Sequence, residues 1–240
     1  MRARSCALLS GVFRRIQSKS FEGCAMDSVV FFVDDDPSLR SAFVRLLSSH
    51  GYQAKAYATA TEFFSEKLPN EPACLILDLK MPDPAGSDVQ KAVSQCDACL
   101  PIIFVSGHAD ISTSVRAMKA GAVDFLTKPI DREKLVSAVG TALERSTRIR
   151  EEREVLKRDH EAFDKLSPRE KDVCVRIAQG LMNKEVGFEL GTSEKTIKAQ
   201  RAHVMQKLGA ASLPDVVRLV ERLRSAGRMP LYRTAAGGTM

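Results

Sequence analysis

The chain has 240 residues, of which 28% are charged and 44% hydrophobic, and it carries a formal net charge of +6 at pH 7. This length suits two domains of ordinary size. No apolar run approaches the roughly 20 residues of a membrane helix, which excludes membrane-spanning proteins and predicts a soluble one with no membrane partner.

The charge is divided unevenly along the chain. Residues 27–140 carry a net charge of −4, whereas residues 167–226 carry +4. We therefore expect two domains with different partners, the basic one being compatible with nucleic acid. A positive charge of this size, taken alone, is explained slightly better as a means of keeping the protein soluble. The nucleic-acid interpretation therefore needs support from particular residues.

Residues 1–26 differ from a folded domain in composition. They combine five basic residues with a short apolar stretch that Ser10 and Gly11 interrupt. We interpret this segment as a disordered extension, or as a start placed upstream of the true initiator Met26. A signal or transit peptide is the less favoured alternative.

Residues 27–143 alternate short apolar runs with amphipathic stretches, as expected for a parallel sheet covered by helices on both faces. Helix signals lie between the runs: Pro37 and Ser38, the capping pair Thr59 and Glu62, and Gly121. We predict an α/β doubly wound domain. Its second strand contains both polar and apolar residues and should lie at an edge of the sheet. Its five strands are Val29 to Val33, Gln53 to Tyr57, Cys74 to Asp78, Pro101 to Ser106 and Val123 to Thr127.

Cys96 and Cys99 have the two-residue gap found in redox and zinc sites. A structural zinc site needs four ligands, and no second pair or histidine cluster follows at a useful spacing. We expect reduced thiols in a cytosolic protein. A redox role for this pair stays open as an alternative.

Functional side chains stand at the ends of four predicted strands. Asp34 to Asp36 follow the first strand, Asp78 ends the third, Ser106 ends the fourth and Lys128 follows the fifth. Because the carboxyl ends of parallel strands meet at one edge, these groups should lie close together. Each has an ordinary structural explanation when taken singly, such as a helix cap or a loop lysine. Taken jointly, they indicate a chemical site.

The repulsion within such a carboxylate cluster is relieved by a hard cation such as Mg²⁺. With the cation bound, one carboxylate can act as a nucleophile towards a phosphoryl donor. Lys128 adds a positive charge and Ser106 a hydroxyl donor to the phosphoryl oxygens. The strand ends therefore predict a phosphoryl-accepting site.

Four segments resemble the receiver domains of response regulators, which have a flavodoxin-like fold: VDDDP (33–37), LDLKMPD (77–83), VSGH (105–108) and KP (128–129). The resemblance covers residues 28–145. It implies that Asp78 accepts phosphate from a sensor histidine kinase and that Mg²⁺ is bound by Asp35, Asp78 and the Lys80 carbonyl, with Asp34 acting through water. It also implies that Ser106 and Phe125 are the switch pair, although an aromatic residue in a strand is usually a core residue.

The charged segment 144–163 predicts a solvated helical linker, because it has few apolar positions and lacks the sustained heptads of a coiled coil. A second domain follows at 164–226. Ser167, Pro168 and Glu170 form a complete helix-start signal, and no strand pattern appears before the end. We expect a small all-α domain, followed by a disordered tail at 227–240.

Within this domain, Val186 to Leu190, Gly191 with Thr192, and Ser193 to Leu208 predict helix, turn and helix. The last of these helices carries a formal charge of +3 and could enter a major groove. A solvated amphipathic helix in a bundle fits the periodicity equally well.

Four short sequence motifs favour the DNA-binding interpretation over a solvated helix in a bundle. LSPRE (166–170), AQGLMNKE (178–185), SEKTIK (193–198) and KLG (207–209) resemble the LuxR-type helix-turn-helix domain. With the receiver in front, the chain resembles the FixJ/NarL group of two-component transcriptional regulators. The resemblance implies binding to promoter double-stranded DNA, RNA polymerase as a partner, and a homodimer on phosphorylation, with the helix 214–225 contributing a dimer contact.

The predicted DNA contacts are polar residues on and beside the basic helix: Lys184, Lys195, Thr196, Lys198, Gln200, Arg201 and Lys207. Lys184 and Lys207 are assigned to phosphates. Gln200 replaces a histidine that is common in the family and can pair with adenine edges.

We therefore predict a cytoplasmic, non-enzymatic, phosphorylation-dependent transcriptional regulator, with activation favoured over repression. One alternative is a phosphorelay receiver or phosphate sink whose helical domain binds protein. Others are an aspartyl phosphatase or transferase using the same carboxylates, and a redox-controlled regulator.

Overall fold

The computed structural model describes residues 28–81, 89, 93, 100–107 and 111–229. The chain divides into two compact units, Met1–Arg150 and Glu151–Met240. The predicted extension 1–26, Cys96, Cys99, the motif residues 82–83 and 108, and residues 230–240 of the predicted tail lie outside the described residues. Met229, which falls within the predicted tail 227–240, is described and is buried in the core of the second unit.

A five-stranded parallel sheet forms the centre of the first unit, in the order β2-β1-β3-β4-β5. Its strands are β1 (Val29–Val33), β2 (Gln53–Tyr57), β3 (Ala73–Asp78), β4 (Ile102–Ser106) and β5 (Asp124–Thr127). The predicted sheet and the edge position of β2 are confirmed. Three strand starts move by one residue, to Ala73, Ile102 and Asp124. Pro101 stays outside β4 because it has no N–H for the ladder, although its carbonyl accepts a bond from Leu75 N.

Both faces of the sheet are buried, which explains the nearly continuous apolar runs. Phe31, Leu75 and Phe104 point into one core, and their neighbours Phe32 and Ile76 point into the other. Because successive side chains of a strand alternate between faces, each central strand contributes to both cores.

Helices cover these two faces. They are α1 (Pro37–Ser49), α2 (Ala60–Phe64), α3 (Ile111–Lys119) and α4 (Arg132–Asp164). Asp36 caps α1 by accepting bonds from two backbone N–H groups, and Thr59 caps α2 by accepting from Glu62 N. Asp36 therefore combines a capping role with a position beside the predicted site.

Side chains near the middle of α4 form hydrogen bonds with backbone groups of the first unit. Ser146 Oγ accepts from Ala73 N at 3.1 Å. The Arg150 guanidinium donates to Asn70 O at 2.6 Å and to Pro69 O at 2.7 Å. The predicted linker residues 144–163 are helical and lie within α4.

The second unit is helical in the part of it that is described. Its helices are α5 (Pro168–Ala178), α6 (Asn183–Glu189), α7 (Glu194–Leu208) and α8 (Leu213–Ser225). The predicted capping box at Ser167 is confirmed, as is the Ser193 cap of α7. The helix predicted from Val186 begins earlier, at Asn183, because Glu185 caps Met182 N at 2.6 Å.

The end of α4 belongs to the core of the second unit. Phe163 is only 4% exposed and packs with Val173, Ile177 and Leu223. Asp159 accepts a bond from Arg222 Nε at 2.7 Å. No helix in the described ranges is long and apolar enough to cross a bilayer.

Candidate functional site

Three aspartates meet at the carboxyl edge of the sheet. Asp34, Asp35 and Asp78 each place one carboxylate oxygen within 4.8 Å of the others. The parallel register pairs Val33 with Leu77, so the residues that come next after these two are neighbours. Asp34 and Asp78 are buried, whereas Asp35 is exposed. The topology thus brings together the carboxylates that the strand ends predicted.

Lys128 bridges the two buried carboxylates. Its Nζ lies 2.7 Å from Asp34 Oδ2 and 2.8 Å from Asp78 Oδ2. Burial alone would lower the pKa of Lys128, but the bonds to Asp34 and Asp78 outweigh it and raise the pKa above its ordinary value. The side chain therefore stays a cation and offsets the repulsion between Asp34 and Asp78.

Backbone N–H groups hold the remaining oxygens of the buried pair. Asp36 N donates to Asp34 Oδ1 at 2.9 Å, and Lys80 N donates to Asp78 Oδ1 at 2.9 Å. Each carboxylate is thus fixed between an ammonium group and an amide. This arrangement limits both side chains to one orientation, which favours a preorganised site.

Arg40 was not among the predicted site residues. Its Nη1 donates to Asp34 O at 2.6 Å, from the first turns of α1 back to the loop that carries the acids. No sequence pattern marks this contact, because a long side chain that reaches backwards to a carbonyl leaves no periodic signal.

Ser106 lies on β4, the strand next to Asp78, and Phe125 lies on β5, one strand further from Asp78. β4 pairs with β3 at Asp78, and its last residue, Ser106, is fully buried. Lys128 N donates to Ser106 O at 2.9 Å, which ties the end of β4 to the start of the loop after β5. Phe125 is half-buried and packs against the first core. Of the two predicted switch residues, Ser106 is therefore the neighbour of Asp78 in the sheet, and Phe125 is separated from it by β4.

The donor set suits a hard cation. Carboxylate oxygens from three residues, one of them exposed to solvent, match the oxygen-rich, partly hydrated coordination that Mg²⁺ prefers. Lys80, the predicted carbonyl ligand, lies two residues after Asp78 and donates its N–H to Asp78 Oδ1.

The second unit places four of the predicted DNA contacts at the surface where α6 and α7 begin. Lys195, Thr196 and Lys198 are exposed on α7, and Lys184 is exposed near the start of α6. The Thr196 hydroxyl lies 2.8 Å from Ser193 Oγ at the cap. These side chains form a positive surface where the two helices begin.

Of the other three predicted contacts, exposed Lys207 and half-buried Arg201 contact polar side chains of the same unit. Lys207 Nζ lies 2.6 Å from the buried carboxylate of Glu170. Arg201 Nη1 reaches Asn183 Oδ1 at 3.5 Å. Gln200 is half-buried, and its Oε1 finds no hydrogen-bond partner among the described residues.

Two cysteines of the described part are buried and free, Cys74 in β3 and Cys174 in α5. Burial raises the pKa of both thiols, that of Cys174 to about 12. Both therefore stay protonated and unreactive at neutral pH.

Comparison with known proteins agrees with these two sites. Residues 30–140 match the model of the response regulator receiver domain, and residues 164–220 match that of the bacterial regulatory proteins of the luxR family. Nodulation protein W of Bradyrhizobium diazoefficiens is 42% identical over 82% of this chain and 86% of its own. The transcriptional regulatory protein FixJ of Azorhizobium caulinodans is 34% identical over 79% of this chain and 90% of its own.

A solved structure extends the likeness to three dimensions. The response regulator StyR superimposes with a TM-score of 0.71 at 38% identity, over 82% of this chain and 99% of its own. Fold, site and relatives agree on one family. The chain belongs to the FixJ/NarL-type response regulators, which join a receiver domain to a LuxR-type DNA-binding domain, and it is a transcriptional regulator rather than an enzyme.

Proposed function

We propose that the chain is a phosphorylation-controlled DNA-binding regulator whose receiver accepts a phosphoryl group on Asp78 from a sensor histidine kinase. One observation carries the assignment of the acceptor. Asp78 is the buried carboxylate at the end of the central strand β3, held between Lys128 Nζ and Lys80 N beside two further carboxylates.

Asp78 is oriented for nucleophilic attack. A carboxylate oxygen of Asp78 forms a bond to phosphorus while the bond from phosphorus to the donor's histidine nitrogen breaks, and the imidazole leaves with its electron pair. Lys128, already within 2.8 Å of Asp78 Oδ2, follows the charge onto the phosphoryl oxygens.

Asp34, Asp35, Asp78 and the Lys80 carbonyl would hold Mg²⁺, with Asp34 acting through water. The cation, when bound, neutralises the negative charge that gathers as the phosphoryl group approaches three carboxylates. Arg40 keeps the loop of Asp34 and Asp35 in place through Asp34 O.

Phosphorylation would then act through Ser106 and Phe125. The Ser106 hydroxyl, buried one strand away from Asp78, donates to a phosphoryl oxygen. The half-buried Phe125 ring moves inward and changes the surface formed by α3 and β5. Because a phosphoryl group only shifts an existing equilibrium, the altered surface must already be populated to some extent.

For the output, we propose that the altered receiver forms a homodimer and that the paired second units bind two half-sites of a promoter. Exposed Lys184, Lys195, Thr196 and Lys198 make the first contacts. RNA polymerase is the proposed partner at the promoter, with activation as the outcome, and the cytoplasm is the proposed location because the DNA is there.

The acceptor assignment is tested by intact-mass measurement of the full chain after incubation with MgCl₂ and acetyl phosphate. We expect one added phosphoryl group in the wild type and none in Asp78→Asn. Asp36→Asn is the matched control, because Asp36 is a neighbouring acid whose role is to cap α1 and asparagine preserves a cap. Equal phosphate uptake by Asp78→Asn and the wild type would overturn the assignment.

A further inference from the structure

The orientation of α7 is set by its two fully buried side chains. Ile197 and Val204 are 0% exposed and face the core of the second unit. Because each helical residue turns by about 100°, the residues half a turn away from these two share the opposite face. We call this exposed face the reading face, and it consists of Lys195, Lys198, Ala199, Ala202, His203 and Gln206.

The reading face has the chemistry of a surface for DNA. Lys195 and Lys198 supply positive charge for phosphates, and His203 and Gln206 supply hydrogen-bonding groups. Two alanines lie between these polar side chains, one turn apart. The face therefore has a low centre and a charged, hydrogen-bonding border.

Three predicted DNA contacts of α7 outside the reading face are in contact with the protein or partly buried in it. Lys207 is paired with Glu170 of α5, and Arg201 contacts Asn183 of α6. Gln200 has its Oε1 buried. Lys207 and Arg201 thus join α7 to its neighbours, and we assign them as positioning residues. Because Gln200 is half-buried, recognition of bases is left to the reading face.

The centre of the reading face favours close approach to a base pair. Ala199 and Ala202 are exposed, and their short side chains let the helix backbone come near the floor of the major groove. Within the groove, the apolar group on a base edge is the C5-methyl of thymine, and alanine is a side chain that contacts it.

We propose that Ala199 and Ala202 read A·T base pairs through thymine methyl groups, while the bordering residues of the reading face bind phosphates and neighbouring base edges. This inference rests on the proposed DNA-binding function and specifies the base pairs that the recognition helix prefers. Sequence specificity then depends on Ala199 and Ala202 and not on Gln200.

The test uses the full chain and DNA duplexes selected from a random library for tight binding. Each thymine of a selected half-site is replaced in turn by deoxyuridine, which removes only the methyl group. We expect affinity to fall about fourfold at each contacted thymine, the effect of one buried methyl group. Every replacement is also measured with Ala199→Gly, Ala202→Gly and Gln200→Ala.

The inference is tested by whether the loss of affinity caused by deoxyuridine depends on the substitution made in the protein. In Ala199→Gly and Ala202→Gly, the deoxyuridine at the contacted position should have no further effect, whereas in Gln200→Ala it should retain its full effect. Any general weakening of the helix by glycine cancels, because both duplexes are bound by the same variant. Full deoxyuridine sensitivity in both alanine variants, or its loss in Gln200→Ala, would overturn the inference.

The same experiment gives a different result if the chain does not bind DNA selectively at all. If the library yields no selective duplex with or without acetyl phosphate, the DNA-binding function itself is refuted, and the inference with it. Selective binding in which no thymine responds to deoxyuridine refutes only the methyl-reading inference.

Discussion

At the scale of single residues, the two units use the same arrangement of charge. A carboxylate accepts one bond from a backbone N–H and another from a lysine. In the receiver, Asp78 is held by Lys80 N and Lys128; in the DNA-binding unit, Glu170 is held by Ser167 N and Lys207. A lysine so placed offsets the negative charge of the carboxylate. The chemical use differs, because among the described residues it is the receiver that places further acids beside the pair.

Lys128→Ala should destabilise the receiver, because it leaves Asp34 and Asp78 facing each other without a cation. Removing one partner of a largely buried pair costs about 3 kcal/mol. Mg²⁺ should recover part of this loss, since it replaces the missing positive charge. We expect urea unfolding to show a large difference from the wild type in EDTA and a smaller one in millimolar MgCl₂.

The matched control for this change is Lys119→Ala, at an exposed lysine of α3. It should behave like the wild type in both solutions. A Lys128→Ala deficit that is identical with and without MgCl₂ would show that the carboxylates do not share a cation.

Glu170 predicts acid sensitivity of the DNA-binding unit. The hydrogen bond from Lys207 and the backbone bond from Ser167 lower the pKa of Glu170 from 4.5 to about 2. Because the folded-state pKa is depressed, the contribution to stability is complete above pH 4.5 and is lost as the pH falls towards 2. Unfolding of the wild type between pH 7 and pH 2 should therefore show a decline that is smaller in Glu170→Gln.

Part of the decline should remain in this variant, since the pKa values of Asp164 and Asp215 are also lowered. Glu221→Gln, at an exposed position of α8, should leave the profile unchanged. Parallel pH profiles for Glu170→Gln and the wild type would contradict this assignment.

At the scale of secondary structure, the receiver was more predictable than the recognition helix. Buried parallel strands are short apolar runs, and the residues at the carboxyl end of each run lie at one edge of the sheet. Asp34, Asp78, Ser106 and Lys128 could therefore be grouped before any geometry was known. Helical periodicity separates a buried face from an exposed one. It does not show which polar side chains at the border, such as Gln200, turn inward.

Long side chains account for most of the contacts that the sequence did not predict. Arg40, Glu170 and Lys207 act across several residues or between helices, through bonds that have no fixed spacing in the sequence. α6 starts early because the Glu185 carboxylate accepts a hydrogen bond from Met182 N. An apolar periodicity that starts at Val186 could not reveal this cap.

Gly187 of α6 lies against the backbone of the turn between α6 and α7, so we expect that a larger residue is not tolerated at this position. A Cβ at this position would lie 2.9 Å from Thr192 O, a backbone atom, and Thr192 N is itself bonded to Gly187 O. Gly187→Ala should therefore lower the stability of the second unit by about 1–2 kcal/mol despite the better helix propensity of alanine. DNA affinity should fall as well, because α7 is displaced.

Thermal unfolding and DNA titration check this change. Phe188→Ala is the control, as the neighbouring side chain is 89% exposed and its loss removes little packing. A Gly187→Ala chain at least as stable as the wild type would show that the turn can relax.

At the scale of the whole molecule, the chain is two units with one helix, α4, contributing to both. Ser146 and Arg150 bond the receiver, whereas Phe163 and Asp159 belong to the second core. The family match to the DNA-binding domain begins at residue 164, so the folded unit includes helix residues upstream of it. The acidic and basic halves of the charge distribution follow the same division.

Phe163→Ala in the full chain should destabilise the second unit alone, by about 3–5 kcal/mol for a buried phenylalanine. Hydrogen exchange should accelerate in α5, α7 and α8 and stay unchanged in β1 and β3. Phe188→Ala again serves as the exposed control. Equal acceleration in β1 and β3 would contradict the division into two independently stable units.

The most direct test of the central claim is the affinity of the full chain for a selected DNA duplex at fixed salt, measured with and without acetyl phosphate and MgCl₂. We expect tighter binding by the phosphorylated wild type and no change for Asp78→Asn. Selective binding that is the same with and without the phosphodonor would contradict phosphorylation control. An equal gain in affinity for Asp78→Asn would contradict Asp78 as the acceptor.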